Sequence, residues 1–154
     1  MNNSSNLMIE RIESLKAGTL AALSFTLAYS LTVVGNRWVL ARSFETLASF
    51  PVTTTLDLVV KIAVAWFSGF LFGITYRYVI REDENPHLKD GAVLAFGLVR
   101  ALAPVEGQPN LTDAIALLGV LGVESLLCFG FARLILDWAL QRHWIKPFKS
   151  TSAL

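Results

Sequence analysis

Charge is what this chain has least of: Asp, Glu, Lys and Arg make up 16 % of its 154 residues, against about 25 % in an ordinary soluble domain. The shortage excludes a conventional water-facing surface. Its net charge is only +1, which leaves no broad basic field for nucleic acid and no acidic tail. A single cysteine, Cys128, excludes an internal disulfide and sits in an apolar stretch, where it reads as a small buried hydrophobe. The two histidines, His87 and His143, have neither H-x-x-x-H nor H-E-x-x-H spacing, and there is no C-x-x-C or G-x-S-x-G. Metal, zinc-hydrolase and serine-hydrolase chemistry therefore lack their sequence marks, and no cofactor motif is present.

What the chain has instead is apolar length. Hydrophobic residues make up 54 % of it and mean hydropathy is +0.54. Twenty consecutive uncharged residues, Ala17 to Asn36, lie between Lys16 and Arg37, and Ala17 to Val34 can run as one apolar helix. A hydrocarbon core of about 30 Å needs about 20 helical residues, so this window has membrane-spanning length. It is too long for the core of a cleaved leader and its preceding segment is mixed in charge, so it reads as a retained span. Residues 1–6 are polar and expected to be disordered, as are 147–154. Leu7 to Lys16 has apolar residues at 8, 9, 12 and 15, a spacing suited to a helix on the membrane surface.

Three further segments follow. Leu58 to Ile80 is framed by Lys61 at one end and by Tyr76, Arg77, Tyr78 and Arg81 at the other, the aromatic and basic pattern of a membrane interface. Leu88 to Ala103 is shorter, about 24 Å of helix, and carries Lys89, Asp90 and Arg100. Asp113 and Arg133 bracket nineteen residues whose one charge is Glu124. Between the first two spans, Arg37 to Pro51 reads as an interfacial helix. If all four segments cross, Arg11, Lys16, Arg77, Arg81, Lys89, Arg133, Arg142, Lys146 and Lys149 share one side, against Arg37, Arg42, Lys61 and Arg100, nine to four. With three crossings that bias nearly vanishes. The expected fold is therefore all-α, a single polytopic membrane domain of four transmembrane helices near 15–35, 58–80, 88–104 and 113–137, with both termini cytoplasmic.

Inside this frame a few residues stand out. Gly69 and Gly73 form a G-x-x-x-G in the second span, the pattern of close helix approach; Gly91 and Gly97 in the third, and Gly119, Gly122 and Gly130 in the fourth, extend the set. Glu124, eleven residues from Asp113 and nine from Arg133, is expected near the midplane. Arg100 is expected nearer the outer surface, offset by about 10 Å. An intramembrane carboxylate and guanidinium point to an ion pair that locks the bundle or to a proton or ion relay. Arg81, Glu82, Asp83 and Glu84 open a polar hairpin ending at Asp90, which reads as a solvated or protein-docking loop. Asn110-Leu111-Thr112 matches a glycosylation sequon too close to the membrane to carry weight. His143, with Arg142, Trp144 and Lys146, reads as a basic interfacial end able to meet anionic headgroups.

Gly73-Ile74-Thr75-Tyr76-Arg77-Tyr78-Val79-Ile80-Arg81 and Gly91-Ala92-Val93-Leu94-Ala95-Phe96-Gly97-Leu98-Val99-Arg100, flanking the acidic hairpin, resemble a family of small uncharacterised integral membrane proteins of cyanobacteria and chloroplasts. The likeness covers the middle third of the chain. It implies a thylakoid or plasma-membrane setting and a place beside photosynthetic complexes, and it carries no catalytic residue with it. Two functions are expected to compete. One is a non-enzymatic auxiliary or assembly partner of a larger membrane complex, in contact with lipid and docking through its hairpin. The other is a small homo-oligomeric transporter or channel with Glu124 in the path. For the topology, cysteines at positions 4, 83, 107 and 152 in a Cys128→Ser background should react with an impermeant reagent from outside only at 107; outside labelling at 4 or 152 contradicts the charge argument.

Overall fold

With little water to receive backbone hydrogen bonds, an apolar chain satisfies them internally, and helices do so within one segment. A computed structural model describes residues 2–39, 55–80, 85–106 and 109–147, with side chains in the first of these stretches from 7 to 35. It contains four α-helices: α1 (Asn2–Val39), α2 (Thr55–Ile80), α3 (Pro86–Leu102) and α4 (Leu111–Gln141). Three of them, α1 over Leu7–Gly35, α2 and α4, are long and apolar enough to cross a membrane. With 17 residues, α3 is about 25 Å long.

The ends are set by local chemistry. Asn85 caps α3 by accepting the His87 backbone N–H at 3.0 Å, and Pro86 stands at the first turn, where its missing N–H costs nothing. At the other extreme, α4 closes with Trp144 N–H on the Ala139 carbonyl and His143 N–H on the Leu140 carbonyl, both at 3.0 Å. His143 takes φ 57° between them. This is a Schellman closure with histidine where glycine is usual, and the turn sends Ile145 back into the core at 3 % exposure.

Where the expected α1 starts near 15 after a disordered 1–6, helix runs from Asn2. The separate surface helix over 7–16 is thus the first part of α1, continuous with the span because no Pro or Gly interrupts residues 2–17. The fourth helix likewise overruns 113–137 at both ends. Residues 40–54, which hold most of the expected interfacial segment, and 148–154 lie outside the described residues.

The helices form an up-and-down bundle in which α1 touches α2 and α4, α3 touches α4 and α2, and α2 also meets α4 across the bundle. A Cβ on Gly69 would lie 2.7 Å from Phe25 Cβ and 2.8 Å from Ala22 Cα, and one on Gly73 would lie 2.6 Å from Ala21 Cβ. The α1 and α2 backbones therefore approach as closely as two helices can. Near the middle each helix contributes one phenylalanine. Phe25 and Phe129 have centroids 4.4 Å apart, Phe72 and Phe129 5.1 Å, Phe72 and Phe96 5.5 Å, and Phe96 and Phe129 5.7 Å. These tilted and edge-on rings fill the axis.

The other glycines behave differently. Gly97 sits against the Leu126 side chain, but a Cβ on Gly91, Gly119, Gly122 or Gly130 would meet nothing within 4 Å. The packing role read for Gly91, Gly119 and Gly130 is corrected, while Gly122 is buried although a Cβ there would have room: sequence spacing reveals a small-residue stripe and not whether a neighbour lies on it. Gly73→Ala should accordingly lower stability in detergent by about 1–3 kcal/mol through overpacking, while Gly119→Ala should be neutral or stabilising by up to about 1 kcal/mol. Thermal unfolding of the two variants checks this, and equal losses would contradict the packing described.

Candidate functional site

Three polar clusters interrupt the apolar bundle. At the end holding the N-terminal part of α1, the Arg77 side chain is only 1 % exposed and forms an ion pair with the Glu10 carboxylate. Its Nη1 also donates to the Glu10 carbonyl at 3.1 Å and to Ser14 Oγ at 2.7 Å, and its Nε to the Lys146 carbonyl at 2.9 Å. The Lys146 N–H donates to Glu13 Oε2 at 3.1 Å, and Lys16 Nζ lies 2.8 Å from Glu13 Oε1. One guanidinium thus joins α1, α2 and the segment after α4. The fork geometry of arginine suits this, because its donors diverge toward separate acceptors.

Beside it, Asp137 collects α2, α3 and α4. Tyr76 Oη donates to Asp137 Oδ1 at 2.7 Å, Lys89 Nζ lies 3.3 Å from the same oxygen, and Arg133 Nε lies 3.6 Å from Oδ2. Arg133 also pairs with Asp90. Two acids and two bases balance: Lys89–Asp137 and Asp90–Arg133 join α3 to α4, and Arg133–Asp137 lies within α4. Their arrangement holds elements together.

The third cluster lies toward the opposite end. Thr32 Oγ1 donates to Glu124 Oε1 at 3.1 Å. Arg100 Nη1 donates to Ser68 Oγ at 3.2 Å, and its guanidinium lies 5.1 Å from the Phe25 ring centre and 5.0 Å from that of Tyr29, within cation–π range. Arg100 and Glu124 thus make separate contacts, and no ion pair joins them among the described residues.

Contacts between helices set the levels of these two groups within the bundle. Register supplies the measure: Phe25 lies beside Gly69, and seven residues on, Thr32 falls level with Ile62, next to Lys61 and about one turn inside Asp57. Glu124, bonded to Thr32, is therefore about 10 Å from the phenylalanine layer. Gly97 faces Leu126, so three residues on, Arg100 is level with Val123 and Glu124. Its side chain then reaches toward Phe25.

Sequence reading placed Arg77 at an interface and missed its burial. A signal was present: Gly69, Gly73 and Arg77 recur every four residues on one helix face, so a face that meets α1 through its glycines also carries Arg77 to α1. The docking hairpin residues Arg81, Glu82, Asp83 and Glu84 lie outside the described residues. Among those described, no group of three His, Cys, Asp or Glu stands where a metal ion would be held. No family model, curated protein or solved structure matches the chain.

Proposed function

We propose that this chain is an integral membrane protein of four crossings with both termini cytoplasmic, and that it works by binding, as a non-enzymatic auxiliary or assembly partner of a larger membrane complex. The observation that carries the reading is where the polar groups lie relative to the axis. Four phenylalanines, one per helix, fill the centre, so a path for ions or protons along the axis of one copy is blocked. The Arg77 and Asp137 clusters spend their charges on joining helices. Glu124 stands away from the axis, between outward-facing Val123 and Leu127, and accepts from Thr32.

Four crossings are favoured by the course of α3. Lys89 and Asp90 begin it in the Asp137 layer and Arg100 ends it in the Glu124 layer, so it covers the same interval as α4 does from Asp137 to Glu124. The nine-to-four charge bias orients the Arg77 end toward the cytoplasm. The resemblance of the middle third points to a thylakoid or bacterial plasma membrane and to a photosynthetic complex as partner.

Mild-detergent extraction from the native membrane, followed by native electrophoresis and mass spectrometry, tests this. The chain should migrate with a larger complex, and its deletion should lower the amount of that complex. Migration as a homo-oligomer, with a proteoliposome ion flux that Glu124→Gln abolishes, would overturn the reading in favour of a transporter.

A further inference from the structure

The turn that closes α4 builds an aromatic and basic cluster that the rest of the bundle does not use. In an uninterrupted helix, residues six apart stand about 240° apart around the axis, so Trp138 and Trp144 would face different ways. The left-handed φ of His143 turns the chain back, and Trp144 N–H bonds to the Ala139 carbonyl. The two indoles then meet edge to face with centroids 5.0 Å apart, and the Arg142 guanidinium lies 5.7 Å from the Trp138 ring centre. Both indoles and Arg142 are exposed.

Arg142 is held by an aromatic face and by no acid. Among the described residues no carboxylate pairs with it, and Trp138 to Pro147 contains neither Asp nor Glu. A guanidinium against an indole keeps its in-plane N–H donors turned sideways, where an oxyanion can reach them. Neighbouring charges set the level of the cluster. Asp90, Arg133 and Asp137 are joined by ion pairs, as Lys16 is to Glu13, which in turn accepts the Lys146 N–H; the side chains of Asp90 and Lys16 are more than half exposed. Exposed charges do not stand in hydrocarbon, so a bundle that crosses a membrane has left the hydrocarbon at this level. Trp138 follows Asp137 directly and Trp144 precedes Lys146 by two residues, so both indoles belong to it.

We propose that Trp138, Arg142 and Trp144 form a binding site for the headgroup of an anionic phospholipid, with its phosphate on the Arg142 guanidinium and its glycerol and first chain carbons against the two indoles. The inference rests on the membrane-crossing reading above and is independent of the partner complex. A phosphodiester accepts two parallel N–H bonds from one guanidinium, and indoles favour the zone between chains and headgroups. With Lys146 exposed beside it and no acid in the segment, the local charge selects a headgroup of net negative charge over a zwitterionic one. His143 acts through its backbone, as the turn that holds Trp144 on Trp138.

The test uses the full chain in dodecylmaltoside micelles holding equal amounts of dioleoylphosphatidylglycerol and dioleoylphosphatidylcholine, with native mass spectrometry to count the lipids retained. Phosphatidylglycerol should be retained in preference. Arg142→Gln should lower that preference about fivefold, the equivalent of about 1 kcal/mol for one basic residue at a membrane surface. Trp144→Ala should lower it as well, at unchanged thermal stability. Arg142→Lys should recover only part of the loss, because an ammonium lacks the fork, whereas His143→Gly should keep the preference, because glycine takes the left-handed turn without strain. Inorganic phosphate in excess should leave the lipid bound. The proposal is overturned by equal retention of the two lipids, by a preference that survives Arg142→Gln, by an Arg142→Lys variant equal to the parent, by loss of the preference in His143→Gly, or by displacement with inorganic phosphate. Crosslinking from position 141 to an acidic partner segment, with no phosphatidylglycerol retained, overturns it too. A failure of the crossing reading appears separately, as outside labelling of cysteines at 4 or 152.

Discussion

A guanidinium that is almost wholly out of solvent dictates much of this architecture. Burying a charge costs several kcal/mol unless it is paired and its donors are satisfied. Arg77 meets that demand with acceptors on two other elements: the carboxylate and carbonyl of Glu10 and the hydroxyl of Ser14 on α1, and the carbonyl of Lys146 after α4. Each acceptor constrains a distant part of the chain. To deliver Glu10, α1 must continue as helix well before its apolar window. To deliver Lys146, the chain must reverse after α4, which is what the histidine-centred closure does at the expense of a left-handed φ. Gly73, one turn before Arg77, lets α1 come near enough for the bonds to form.

Further along the bundle the balance of forces changes. Lipid offers helices no hydrophobic reason to associate, so close backbone contact and ring packing must hold the middle. Gly69 and Gly73 supply the first between α1 and α2, and the four phenylalanines supply the second among all helices. Past that layer the contacts open. Among the described residues, nothing lies within 4 Å of where a Cβ on Gly35 or Gly119 would stand, and Glu124 lines a groove there. The molecule is thus tied at one end, packed at the centre and open on one side toward the other end.

How much of this was legible in sequence depended on whether the property was local. Uncharged runs and turn residues report on one segment at a time, and they placed α2 and α3 within a few residues of Thr55–Ile80 and Pro86–Leu102. The cap at Asn85 starts α3 at Pro86, two residues before the expected 88. Lateral properties were harder. Glycine spacing could not separate Gly73, against which α1 packs, from Gly119, which faces open space. That Glu124 meets Thr32 while Arg100 meets Ser68 could not be read along α4 alone, because contacts in a bundle are set by register with neighbours. Arg77 looked like an interface residue because arginines near helix ends usually are; its burial follows from the α1 face opposite, which no feature of α2 by itself discloses.

The dependence on Arg77 is most directly tested by hydrogen exchange at the Lys146 amide, whose donation to Glu13 requires the returning segment to be held in place. In the parent protein in detergent micelles this amide should be protected although it lies beyond the last turn of α4. In Arg77→Gln it should exchange as fast as an unstructured amide, while amides around Phe129 keep their protection. Unchanged protection at Lys146 in that variant would show that the segment is held without the guanidinium, and would contradict the central place given to it here.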